Sequence, residues 1–203
     1  MDAGSETTGV ALTHVVYFLL KTPRALSRLR QELEENVAFG NDGIATYASV
    51  KNLPYLRACL DESLRLLPPV STGLHRLTPP EGYTIDGHWI EGGTIVVVPI
   101  YTAHRNPTFF PNPEEYQPER WLKDGIKDAQ ASFIPFSAGA RGCIGRNITY
   151  IEQMILISTL VHRYDLRFAD FLWELSHEEA FNLWPGPMPL KVRRRGFESS
   201  IST

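Results

Sequence analysis

The strongest chemical feature of the sequence is a cysteine in a glycine-rich turn. Cys143 lies in Phe136-Ser137-Ala138-Gly139-Ala140-Arg141-Gly142-Cys143-Ile144-Gly145, directly ahead of a long helical pattern. A helix start offers unpaired amides and the positive end of the dipole, which favour a thiolate over a thiol. Gly139, Gly142 and Gly145 permit tight turns and close approach of a flat ligand to the backbone. Arg141, two residues before the sulfur, is placed to pair with a carboxylate on such a ligand. The plain alternative is a buried cysteine in a turn, the usual fate of a lone thiol.

Two other groupings carry chemistry. Glu62-Ser63-Leu64-Arg65 places a carboxylate and a guanidinium at i,i+3 on a helix, where they are neighbours. Many helices carry such a surface pair. Ala3-Gly4-Ser5-Glu6-Thr7-Thr8 sets an acid beside a hydroxyl, a combination able to relay protons. An N-capping Ser5 or Thr7 at a helix start is the bland alternative. His14, His88, His162 and His177 show no metal-ligand spacing. Cys59 falls mid-helix and reads as a small core residue.

The elements that must position these groups follow from proline placement. Eleven of the fifteen prolines fall between Pro54 and Pro135, and none between Phe136 and Trp184. Long helices therefore belong to the flanks. The pattern predicts helices over about Ser5–Leu20, from Thr22-Pro23 onward, over about Pro54–Leu67, and over about Gly145–Tyr164. In the second, Leu26, Leu29, Leu33 and Val37 form the apolar stripe. In the third, Leu56, Leu60, Leu64 and Leu67 do so. Tyr83–Ile85 and His88–Ile90 flank Asp86-Gly87 as a hairpin. Glu91-Gly92-Gly93 turns the chain into a β-branched run, Thr94–Val98. The stretch from Asn106 to Glu119 is too proline-rich for a regular element and reads as a long, ordered loop. Short strands are expected near Tyr164–Phe168 and Pro189–Arg193.

Composition bounds the class. The chain has 203 residues, 43% hydrophobic and 21% charged, as in an ordinary globular protein. Its net charge of −3 gives no nucleic-acid footprint. Two cysteines exclude a disulfide scaffold and a four-thiolate metal site. The apolar stretch Val10–Leu20 is far short of the roughly 20 residues a spanning helix needs, and no basic leader precedes it. By itself the composition reads as that of a cytosolic protein in a reducing compartment. Met1-Asp2-Ala3-Gly4 runs straight into a helical pattern, so the chain reads as part of a longer protein.

The turn around Cys143 resembles, position for position, the haem-binding signature of the cytochrome P-450 superfamily. Phe136, Gly139, Arg141, Cys143 and Gly145 fill its five fixed places, a coincidence with a chance probability on the order of 10⁻⁴ in a chain this long. Three further motifs follow the family's order. Glu62 and Arg65 match its Glu-x-x-Arg, and Pro118-Glu119-Arg120-Trp121 resembles the segment whose arginine completes a structural triad. Ala3 to Thr8 resembles the oxygen-activating part of the long central helix.

The resemblance implies a fold that is mainly α with small β-sheets (α+β), and a chain, residues 1–203, forming the C-terminal part of one domain. It implies haem b as cofactor, with Cys143 as axial iron ligand. Ala3 and Gly4 would let dioxygen and substrate approach, while Glu6 and Thr7 supply protons. One of His75 and Arg76 would meet a haem propionate, His75 being favoured, since neighbouring strand residues face opposite sides. Val70, Ser71 and Thr72, with Gly73, would line the substrate pocket. His104-Arg105-Asn106-Pro107 resembles the start of the loop before Arg120 and reads as structural.

The implied activity is insertion of one atom of dioxygen into a small organic substrate. Electrons would come from an NADPH-dependent flavoprotein reductase docked near Lys123, Lys127 or Arg146. A full-length relative would sit in the endoplasmic reticulum membrane through an N-terminal anchor outside this chain. The wording of Gly73–Gly82 and Ala103–Arg105 resembles the fungal microsomal branch. The alternative is a truncated, non-catalytic remnant of such an enzyme.

Overall fold

Three of the expected long helices pack around the remaining one, the third in chain order. The computed structural model describes residues 2–123, 125–170 and 172–196. The first helix, α1 (Asp2–Lys21), precedes α2 (Pro23–Asn36), a short α3 (Tyr47–Val50) and α4 (Pro54–Leu66). Proline at the first turn opens both α2 and α4, where its missing N–H costs nothing. In α2 the buried positions are Ala25, Leu29 and Leu33, one per turn. In α4, however, every residue from Tyr55 to Leu66 except Arg57 is buried, including Asp61, Glu62, Ser63 and Arg65. An apolar stripe predicts only one buried face. The charged face of α4 is covered as well, because the 3-10 turn Pro118–Leu122 packs on it.

The small sheets all pair two antiparallel strands. β1 (Arg76–Leu77) and β4 (Ile95–Val96) form one, and β2 (Tyr83–Ile85) and β3 (His88–Ile90) form a hairpin. Asp86 and Gly87 both have positive φ, 48° and 77°, as a two-residue hairpin turn requires. The β-branched run from Thr94 is shorter as a strand than its composition suggests. Only Ile95 and Val96 pair, against Leu77 and Arg76.

The segments α5 (Ile100–Ala103) and α6 (Lys127–Ser132) lead to α7 (Arg146–Arg163) and β5 (Tyr164–Phe168). Then β6 (His177–Glu179) pairs with β7 (Leu183–Pro185), and β8 (Leu190–Arg194) pairs with β5. The expected final strands are therefore present, with β8 one residue later. The β6–β7 pair and the short helices α3, α5 and α6 were not foreseen, because runs this short carry no full period. The core joins Val15 and Leu19 of α1, Leu29 and Leu33 of α2, Leu56 and Leu60 of α4, and Ile157 and Val161 of α7. Among the described residues no helix is long and apolar enough to cross a membrane.

Candidate functional site

Glu62 is the hub of a buried ionic cluster. Its Oε2 accepts from Arg65 Nε and Trp121 Nε1, each at 2.9 Å. Its Oε1 accepts from Arg65 Nη2, Arg120 Nε and the Gln117 amide, also at 2.9 Å. Each guanidinium then reaches outward to backbone. Arg65 donates to the carbonyls of His104, Pro113 and Glu115, and Arg120 to those of Pro111 and Asn112. Two arginines thus satisfy carbonyls along the proline-rich loop, alongside the loop's own bond from Glu115 N to Asn112 O. Burial of this kind is tolerated because every charge is paired and hydrogen-bonded. Trp121 and the Gln117 amide are members that sequence reasoning missed. The indole beside Arg120 was the available signal.

His104, also fully buried, continues the network. Its Nδ1 lies 3.2 Å from Arg65 O, and its Nε2 accepts from the Ile134 amide at 2.9 Å. Burial lowers its pKa to about 4, so the ring is neutral at pH 7. Two residues beyond Ile134, the Cys143 turn begins. Phe136 packs on the Tyr150 ring at 5.3 Å, and Tyr150 donates to the buried Asp61 at 2.6 Å. Burial raises the pKa of both groups.

The Cys143 turn itself is exposed from Ala138 to Ile144. Gly139 has φ of 64°, and Ser137, a non-glycine, takes 58°, a strained left-handed geometry. Several amides are used inside the turn: Ser137 N donates to Ile134 O, Gly142 N to Gly139 O, and Cys143 N to Phe136 O at 2.8 Å. Those three donors are therefore committed to the turn's own backbone. Gly145 is the N-cap of α7 and has no side-chain cap.

Beside the turn lies an open trough of about 760 Å³. Leu74, Val96, Val97, Val98, Ile100 and Ile134 give it an apolar wall, and Ser137, Ala138, Ala140 and Arg141 face it from the turn. Arg76 lines it too, and its Nη2 donates to Ser137 Oγ at 3.3 Å. Asp86 and His88 of the hairpin complete the rim. Of the expected basic pair, Arg76 faces the trough, whereas the exposed His75 is not among its lining residues.

The expected substrate wall is only partly exposed. Ser71 is buried and its hydroxyl donates to Glu179, so it does not line the trough. Val70 and Thr72 are likewise absent from its lining. Gly73 backs onto the segment just after β4 so closely that an added Cβ would lie 2.1 Å from Val98 O. Ala3, Gly4, Glu6 and Thr7 lie inside α1, which excludes a capping role for Thr7, and the neighbouring Thr8 Oγ1 lies 3.4 Å from Thr149 Oγ1 near the start of α7. Thr7 Oγ1 donates to Ala3 O at 2.6 Å, and none of the four lines the trough. Among the described residues no three histidine, cysteine or acidic groups gather as a metal site.

The cytochrome P450 family model matches residues 1–188. The chain belongs to the cytochrome P450 family. The cytochrome P450 monooxygenase tpeC of Talaromyces stipitatus is 40% identical over 195 residues, covering 94% of this chain and 38% of tpeC. The cytochrome P450 monooxygenase penB of Penicillium thymicola is 39% identical over 166 residues, covering 82% of this chain and 37% of penB. A crystal structure of the cytochrome P450 CYP102L1 superposes with a TM-score of 0.81 at 28% identity, over 96% of this chain and 43% of that one. The chain thus spans well under half the length of these cytochrome P450 relatives. Its mainly α architecture with small sheets is that of the family.

The family implies a haem-iron group, and the residues present suit one. A flat apolar ligand carrying carboxylates matches an apolar trough flanked by two guanidiniums, with a thiol on the adjoining turn.

Proposed function

We propose that this chain supplies the thiolate side of a haem monooxygenase site. The observation that carries the reading is the trough: Ala138, Ala140 and Arg141 of the Cys143 turn face the same apolar space as Val96–Val98 and Arg76. Cys143 Sγ would hold the iron of haem b, deprotonated on binding. Arg76 and Arg141 would pair with the propionates, and Leu74, Val96 and Ile134 would exclude water from one macrocycle face. When bound, haem iron supplies the one-electron and dioxygen chemistry that inserts an oxygen atom into an organic substrate.

The remaining residues have proton and partner roles. Thr7 Oγ1 spends its proton on Ala3 O, which leaves its lone pairs able to accept from water. Passing a proton onward requires that hydroxyl to turn away from Ala3. Glu6, exposed beside it, is the acid that recharges it. Lys123, Lys127 and Arg146 are exposed and would meet an NADPH-dependent flavoprotein reductase, and a full-length protein would sit at the endoplasmic reticulum membrane.

A second reading, a non-catalytic remnant, is favoured by the full exposure of Ile144 beside the thiol. The carbon monoxide difference spectrum of the reduced, haem-loaded chain decides between them, with Cys143→Ala as control. A thiolate-type band lost in the variant supports the first reading. Its absence in the wild-type chain supports the second.

A further inference from the structure

We propose that His104 is a positioning residue for the Cys143 turn, holding the Ile134 amide so that the buried Glu62 cluster fixes where the turn begins. The imidazole is gripped from both sides. Its own carbonyl accepts from Arg65 Nη1 at 3.0 Å while its Nδ1 lies 3.2 Å from Arg65 O, so the residue is locked to α4 in two directions. With Nδ1–H donating there, Nε2 carries a lone pair, and the Ile134 N–H points at it from 2.9 Å. One tautomer satisfies both bonds. The ring is also wedged between Phe133 at 5.2 Å and Phe110 at 6.3 Å, so it has no room to turn away.

The consequence lies at the far end of a short lever. Ile134 O accepts from Ser137 N at 3.0 Å, Ser137 is the strained left-handed residue, and Phe136 O accepts from Cys143 N at 2.8 Å. A shift of Ile134 is therefore carried through two hydrogen bonds to the backbone of Cys143. The trough lining at Ile134, Ser137 and Ala138 moves with it. The effect on ligand binding rests on the haem-thiolate reading; the positioning of the turn does not.

Two near-isosteres separate this role from packing. In His104→Gln the amide oxygen falls near the place of Nε2 and can accept from Ile134. In His104→Asn the shorter amide still reaches Arg65 O but not Ile134. With the ¹⁵N-labelled 203-residue chain, a coupling across the N–H···N bond between Ile134 and His104 is expected in the wild type. Exchange of the Ile134 amide should be about tenfold faster in His104→Asn, and restored in His104→Gln. Alkylation of Cys143 by a maleimide, with buried Cys59 as the silent thiol, should change about threefold in the same order. Equal Ile134 exchange and equal thiol reactivity in all three chains overturn the proposal. So does Gln behaving like Asn, or an unprotected Ile134 without the coupling in the wild type. Failure of every chain to bind haem while the Ile134 differences persist counts against the haem reading and leaves the positioning role standing.

Discussion

Two regions distant in sequence and linked through His104 and Ile134 treat their polar groups in opposite ways. Around Glu62 the carboxylate, two guanidiniums, an indole, an imidazole and the carbonyls of a proline-rich loop satisfy one another inside the protein. Around Cys143 the thiol, Arg141 and the lining of the trough face outward. The first region is a scaffold complete in itself; the second has the character of a surface that meets a ligand. Stability and ligand binding should therefore respond to different mutations.

The sharpest way to break that contrast is Glu62→Ala. It strips Arg65 and Arg120 of their shared partner while leaving both buried, and should cost about 3–5 kcal/mol in chemical denaturation. A loss below about 1 kcal/mol would mean the cluster is no scaffold.

The next largest effect is acid sensitivity through His104. Its folded pKa is depressed to about 4 from an ordinary 6.5, so the unfolded chain binds the extra proton between those values. The stability it contributes is whole above pH 6.5 and drains as pH falls towards 4, at about 1.4 kcal/mol per pH unit. Buried His14, likewise lowered to about 4, adds a similar slope. Denaturation midpoints from pH 7 to 4.5 should flatten in His104→Gln by one histidine's share.

On the open side, Arg76→Ala and Arg141→Ala should each weaken haem binding about tenfold, while His75→Ala leaves it unchanged. Absorbance titration with haem measures all three; a loss confined to His75→Ala would reverse the assignment made from the trough. The smallest effect expected is on the stability of the haem-free chain with Cys143→Ser, within about 0.5 kcal/mol, because the thiol is exposed. A large loss there would make Cys143 part of the scaffold after all.

Much of the fold was legible because its signals are local. Pro23 and Pro54 announce two helices, the Asp86-Gly87 pair fixes the hairpin register, and the heptad-like leucines mark the buried faces. Less could be seen of the site. The stripe on α4 gave no reason for Asp61 and Glu62 to be buried, since that depends on what packs against the charged face. The helix α6 and the pair β6–β7 are too short to carry a period.

The sequence by itself determined the residue types available for chemistry: a thiol in a glycine-bearing turn, a carboxylate and arginine one helical turn apart, and an arginine after Pro118. Spacing along one chain specifies such sets because each lies within a single element. Only the tertiary structure decided that Arg76 rather than His75 reaches the trough, that Ser71 turns to Glu179, and that His104 ties α4 to Ile134. Those choices join elements distant in the chain, and side-chain direction between them is set by packing and hydrogen-bond satisfaction, which no local pattern encodes.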